Sequence, residues 1–220
     1  MGPAMLIAHG MPDDDFHRRI FELVGREQPE VAYVGAANGD QRRWFERVAE
    51  TVAKRFGARC RLARTVGVDD RGPAAELIER ADVIYLAGGD VSALSERVHA
   101  LQLGELIRRR HQEGAMLVGV SAGAIGLTKY WVEFEGDEPA RRFPCVGALP
   151  FAVDCHDEDS DWEELRALLA RWAADAPDEE VDAWGIPAGG ALEVDSAGRV
   201  RPHGPAPRRL RLVRGKIVDA

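Results

Sequence analysis

Along the first 127 positions, short unbroken apolar runs alternate with longer stretches in which apolar residues recur every three or four places. The runs at 4–8 (Ala-Met-Leu-Ile-Ala), 31–37, 82–87 and 116–120 have the length and β-branched content of strands buried on both faces. Positions 60–66 read as a further strand with one face exposed. The intervening stretches predict helices over 16–24 and 41–56, then a short one reaching Arg80 after a loop that holds Gly72-Pro73. A single long helix is predicted from Ser92 to Glu113. In the second of these, Trp44, Val48, Val52 and Phe56 stand four apart and make one core-facing stripe. In the last, Leu94, Val98, Leu101, Leu106 and Ile107 face inward and His99 and His111 face solvent. Strand and helix in strict alternation predict an α/β three-layer sandwich with a mostly parallel central sheet.

After Leu127 the pattern changes. Residues 129–144 are charged and carry Trp131, Phe134 and Phe143 without a clean period, which suits either a cover over a substrate or a homodimer contact. Apolar residues then lead to His156, followed by the acidic cluster Asp157-Glu158-Asp159-Ser160-Asp161, expected to cap a helix built on Trp162, Leu165, Leu168, Leu169 and Trp172. Short runs at 181–186, 191–194, 200–202 and 210–218, joined by Pro/Gly turns, predict a β-rich C-terminal segment.

The chain has 220 residues, 45% of them hydrophobic, enough for one well-buried domain over 1–220. A net charge of -8 argues against a nucleic-acid partner, because phosphate binding needs concentrated positive charge. The one basic run, Arg208 to Lys216, alternates cations with apolar residues and is expected to be an edge strand. Cys60, Cys145 and Cys155 are scattered and odd in number, giving neither a disulfide framework nor a zinc pattern. With no leader-like or membrane-length apolar stretch, the expectation is a cytoplasmic protein without a membrane partner. Neither a metal nor an organic cofactor is predicted. A metal on the consecutive Asp154, Cys155, His156 and Asp157 is disfavoured, since neighbours in sequence rarely converge on one ion.

The most informative stretch is Met116 to Leu127, where a buried strand meets a small-residue helix through Gly119-Val120-Ser121-Ala122-Gly123. A strand-to-helix turn of the G-x-S-x-G kind leaves the serine hydroxyl exposed above the sheet edge, and the following helix offers free N–H groups and its positive end. Gly88-Gly89-Asp90, at the end of another strand, can point backbone N–H groups into the same opening or simply form a turn capped by Asp90. His156, at a strand end beside carboxylates, stands where a general base is expected. His9, at the end of the first strand, is a weaker candidate.

The run 82–127 resembles the serine peptidases that include aspartyl dipeptidase (peptidase E) and cyanophycinase, which are related to class I glutamine amidotransferases with their flavodoxin-like fold. The likeness is carried by Val83-Ile-Tyr-Leu-Ala-Gly-Gly-Asp90, Gly119-Val-Ser-Ala-Gly-Ala124, Gly147-Ala-Leu-Pro-Phe151 with His156 after it, and Gly185-Ile-Pro-Ala-Gly-Gly-Ala-Leu192. It implies Ser121 as nucleophile, His156 as its base, and the N–H groups of Gly89 and Ala122 as oxyanion hole, acting on a small peptide or peptide-like substrate. Two departures stand out. The family's orienting acid falls at Ala188, so Asp157, Glu193 or Asp182 must replace it, or the protein is a catalytically degraded binding homologue. Where dipeptidase-like members carry arginines after the histidine, Asp159 to Glu164 is acidic, which should repel an N-terminal aspartate and admit a basic or neutral group. A third reading is an α/β-hydrolase esterase using His203, Asp182 or Asp195, and an oxyanion loop at His9-Gly10.

Overall fold

A computed structural model describes residues 1–9, 14–135 and 138–220. Gly10 to Asp13, expected as loop, lie outside the described residues. Seven strands form the main sheet: β1 (Ala4–Ile7), β2 (Glu30–Val34), β3 (Arg59–Leu62), β4 (Val83–Leu86), β5 (Met116–Val120), β10 (Ala191–Val194) and β11 (Val200–His203). Their order is β11-β10-β1-β5-β4-β2-β3. β1, β5, β4, β2 and β3 are parallel, and β10 and β11 add antiparallel at one edge.

Alternation within the strands divides the interior. Met5, Ile7, Val31, Tyr33, Val83, Tyr85, Met116 and Val118 face α1 (Asp14–Val24) and α2 (Arg42–Phe56). Ala4, Leu6, Ala32, Val34, Ile84, Leu86 and Leu117 face the opposite layer of α3 (Gly72–Arg80), α4 (Val91–Ala100), α5 (Leu103–Gln112) and α6 (Ala122–Gly126). Both faces are thus covered, as the unbroken apolar runs require.

The predicted long helix is two. It breaks at Leu101-Gln102, where Gln102 takes φ 51°. Leu101 and Leu103 are both buried, yet positions two apart point to opposite sides of a helix, so one straight helix cannot bury both. His111 is buried rather than solvated, with Nδ1 3.2 Å from the Ala115 carbonyl. Gly72 and Pro73 start α3 rather than preceding it, a placement that suits a proline with no N–H to satisfy.

Within the segment 129–144, β6 (Tyr130–Glu135) and β7 (Glu138–Pro144) form an antiparallel ribbon, and Gly136 and Asp137 lie outside the described residues. It is fastened to α7 (Glu163–Asp175): Tyr130 meets Trp172 edge-on, and Arg142 covers both rings while pairing with Asp175 at 2.9 Å. A second sheet, in the order β13-β12-β9-β8, contains β8 (Ala152–Cys155), β9 (Val181–Ile186), β12 (Arg208–Val213) and β13 (Lys216–Asp219). The basic run is therefore an inner strand and the start of an edge strand. Its cations meet carboxylates on both neighbours, Arg208 with Asp219 and Arg209 and Arg211 with Asp182. One core cluster runs from the main sheet through α6 and α7 into this second sheet. No helix among the described residues is long and apolar enough to cross a membrane.

Candidate active site

The parallel strands β1, β5 and β4 end side by side, so whatever follows them shares one edge. Ser121 follows β5 and is tied to β1 by its N–H, which donates to the Ile7 carbonyl at 2.8 Å. Its backbone sits at φ 51°, ψ -117°, a conformation that costs an L-residue on the order of 1–3 kcal/mol and persists only where the surroundings enforce it. Those surroundings are the flanking glycines. A Cβ on Gly123 would strike the Leu86 carbonyl of β4, and one on Gly119 would lie 2.6 Å from the Ala124 Cα. The helix can only fold back this tightly over the sheet if both are bare. α6 spans five residues, so its exposed N–H groups matter more here than any long dipole.

His156 follows β8 in the second sheet. Its N–H donates to the Ile186 carbonyl at 2.8 Å, and its φ is also 51°. The packing of β8 on α6 brings the imidazole over the elbow, with Nε2 2.9 Å from the Ser121 Oγ. Gly89 takes φ 149°, and a Cβ there would enter the Ala37 carbonyl; Asp90 caps α4 through the Ala93 N–H at 2.7 Å. The loop is therefore a turn capped by Asp90, with Gly89 bare against the Ala37 carbonyl. The N–H groups of Gly89 and Ala122 have no partner among the described residues, and both residues line the cavity that Ser121 and His156 enter.

Two cavities meet at Ser121 and Gly89. The larger, about 610 Å³, lies where the connections from β2 and β4 diverge in opposite directions, the usual ligand crevice of such sheets. Tyr33, Trp44, Tyr85 and Arg97 contribute to its wall. Trp44 is thus at the cavity rim and 37% exposed, whereas Val48 and Val52 of the same predicted stripe are core. The smaller, about 210 Å³, contains Trp131, Asp154, His156, Asp157 and Glu164.

Of the carboxylates expected to orient His156, two are engaged elsewhere. Glu193 is buried in β10, gripped by Arg19 at 2.7 and 2.8 Å and by His203 Nε2 at 2.9 Å. The Arg19 hydrogen bond holds its carboxyl below the usual range. Asp182 pairs with Arg209 and Arg211 at the start of β9, the far end from His156. Asp157 does line the smaller cavity, but the imidazole Nδ1 has no hydrogen-bond partner among the described residues. Sequence reasoning passed over Glu158, whose Oε1 accepts from the Ala188 N–H at 3.0 Å. That bond lowers its pKa, helped by the nearby His156 and His9. The side chain thus reaches the segment that follows β9, at Ala188. His9 itself is exposed, its ring 6.5 Å from that of His156.

His203 is separated from Val120 by β10 and β1 and is held by Glu193, so the esterase constellation does not assemble; Gly10 of that reading lies outside the described residues. No group of three or more His, Cys, Asp or Glu among the described residues is arranged to hold a metal. Cys155 points back at the Ser121 carbonyl, 3.9 Å away, and burial raises its thiol well above the ordinary value.

The model of peptidase family S51 matches residues 6–197. No curated protein matches the chain. Among solved structures, a peptidase from an acI-B1 Actinobacterium superposes with a TM-score of 0.73 at 20% identity, covering 100% of this chain and 97% of that one. A peptidase E-type protein from Listeria monocytogenes EGD-e gives 0.68 at 13% identity, covering 94% of this chain and 100% of the other.

Proposed function

We propose that this chain, which belongs to peptidase family S51, cleaves an amide bond in a small peptide or peptide-like substrate through an acyl-enzyme on Ser121. The observation that carries the reading is the 2.9 Å contact between the Ser121 Oγ and the His156 Nε2 at a strained strand-to-helix elbow. His156 takes the hydroxyl proton as Oγ attacks the substrate carbonyl, then returns it to the leaving amine. The oxyanion is stabilised by the N–H groups of Gly89 and Ala122. Water, activated by the same imidazole, releases the acyl group.

Glu158 is the positioning carboxylate in this scheme. Fixed by the Ala188 N–H, it favours the imidazolium that forms during each proton transfer, the part a buried acid plays in other serine triads. A catalytically silent binding homologue remains the competing reading, favoured by the unpartnered Nδ1.

Hydrolysis of a dipeptide panel by purified variants tests the scheme. Ser121→Ala and His156→Ala should each lower kcat by on the order of 10³-fold or more, while His203→Ala keeps near-normal turnover. Glu158→Gln should lower kcat with little change in KM. Wild-type protein that binds dipeptides without hydrolysing any would favour the silent homologue, and dependence on His203 rather than His156 would refute the scheme.

A further inference from the structure

The smaller cavity carries a chemistry that the proposed reaction does not use. Asp154 belongs to β8, two residues before His156, and its side chain points into this space rather than to water, the residue being 3% exposed. One oxygen, Oδ1, accepts from the Cys155 N–H at 2.7 Å. The other, Oδ2, receives no hydrogen bond from an N–H or hydroxyl donor among the described residues, and neither does the Oδ2 of Asp157 in the same cavity wall. Glu164, from the first turn of α7, also lines the space, and among the described residues no lysine or arginine does so. Ionised carboxylates are acceptors only, so two unpaired oxygens in one small cavity need a proton or an external donor between them. Burial, reinforced by the charges of Asp157 and Glu164 and by a carboxyl–carboxylate hydrogen bond with Asp157, raises Asp154 to about 8, in keeping with a proton held between the two carboxyl groups.

Resting on the peptidase reading, we propose that this cavity is a subsite for a cationic side chain, lysine- or arginine-like, borne by a substrate residue next to the scissile bond. Four features support it. The site adjoins Ser121, Ala122 and Gly89, so a side chain entering it belongs to a residue at the reacting carbonyl or beside it. Its volume of about 210 Å³ suits one side chain rather than a whole ligand. Trp131 and Ile125 supply apolar wall for a methylene stem, leaving the carboxylates for the charged head. The carboxylates are contributed by three separate elements, namely β8, the turn after it and α7, so the acidity is assembled by the fold around buried Asp154 and half-buried Asp157, with Glu164 exposed at the margin. The exposed Asp159, Asp161 and Glu163 of the acidic stretch lie outside the lining, and Asp161 is paired with Arg166.

Binding to Ser121→Ala protein, which leaves the cavity intact and stops turnover, tests the subsite separately from catalysis. Titration calorimetry would compare Lys-Ala and Ala-Lys with their norleucine counterparts, which have the same stem without the charge, and with Asp-Ala. One lysine dipeptide should bind about 10- to 100-fold more tightly than its norleucine partner. That preference should collapse in Asp154→Asn and in Asp157→Asn, the second serving if the first fails to fold. Which lysine dipeptide wins assigns the side of the scissile bond. Equal affinity for lysine and norleucine, preference for Asp-Ala, or a lysine preference untouched by both variants would overturn the proposal. If lysine selectivity holds while wild-type protein hydrolyses nothing, the subsite stands and the peptidase reading falls; turnover without selectivity gives the reverse.

Discussion

Replacing Asp154 by Asn should make the protein more stable, and more so as pH rises. Asp154 is buried beside two other carboxylates, Asp157 from the turn and Glu164 from α7, with His156 at the cavity mouth. Burial is the main cause that lifts its pKa from 3.8 to about 8. Between those values the unfolded chain has lost the proton while the folded chain keeps it, so unfolding releases a proton and native stability falls as pH rises through this window. Below about pH 4 both states are protonated and the penalty vanishes; above about pH 8 both are ionised and it levels off. Each unit is worth about 1.4 kcal/mol, which gives a penalty on the order of 4 kcal/mol accumulated between pH 5 and pH 8. Asn keeps the shape and can still accept the Cys155 N–H, but carries no charge. Urea unfolding of both proteins at several pH values reads the effect of Asp154 together with its coupling to Asp157 and Glu164, because groups that do not interact with it cancel in the difference. The stability advantage of Asp154→Asn should be about 1–2 kcal/mol near pH 5 and grow by a few kcal/mol more towards pH 8. A difference that is flat with pH, or a variant destabilised throughout, would refute the reasoning. A more stable variant with weaker lysine binding would also fit a site that sacrifices stability for recognition.

Two further predictions concern groups that hold the site in place. Gly123→Ala puts a methyl into the Leu86 carbonyl, so the elbow must shift; soluble protein, if obtained, should have a lowered melting temperature and lose most hydrolysis, and near-wild-type behaviour would show that the elbow does not need the close approach. Glu193→Gln breaks the Arg19 and His203 contacts of a buried carboxylate and should cost about 3 kcal/mol near neutral pH in chemical denaturation. Because Arg19 holds the Glu193 pKa below its ordinary value, that contribution is present above the usual carboxylate range and fades as pH falls through the lowered pKa. A cost that persists unchanged in acid would contradict the assignment.

The parallel sheet and the elbow were legible because local physics dictates them. A double-faced strand must be apolar at every position, and the tight turn around Ser121 must have glycine at positions 119 and 123. The helix break at Gln102 was hidden because Leu101 and Leu103 belong to a periodic pattern whose conflict shows only when both must be buried. His111 likewise looked like one more polar residue on a basic helix. The pairing of β6 with β7 depends on α7, whose Trp172 and Asp175 receive Tyr130 and Arg142 from across the fold. The serine and the histidine singled out from their strand ends do meet, but the company of His156 was not legible. Glu193 and Asp182 were plausible by sequence position and are claimed by arginines from α1 and β12. Glu158 and the cavity acids Asp154 and Glu164 acquire their neighbours only when β8, β9 and α7 come together.

The proposed chemistry requires Ser121 to be a nucleophile armed by His156, and covalent labelling by a fluorophosphonate probe, read by peptide mass spectrometry, tests this most directly. It predicts one adduct located on Ser121, absent from Ser121→Ala and formed far more slowly in His156→Ala. No adduct on the folded wild-type protein, or labelling that persists unchanged in Ser121→Ala, would contradict it.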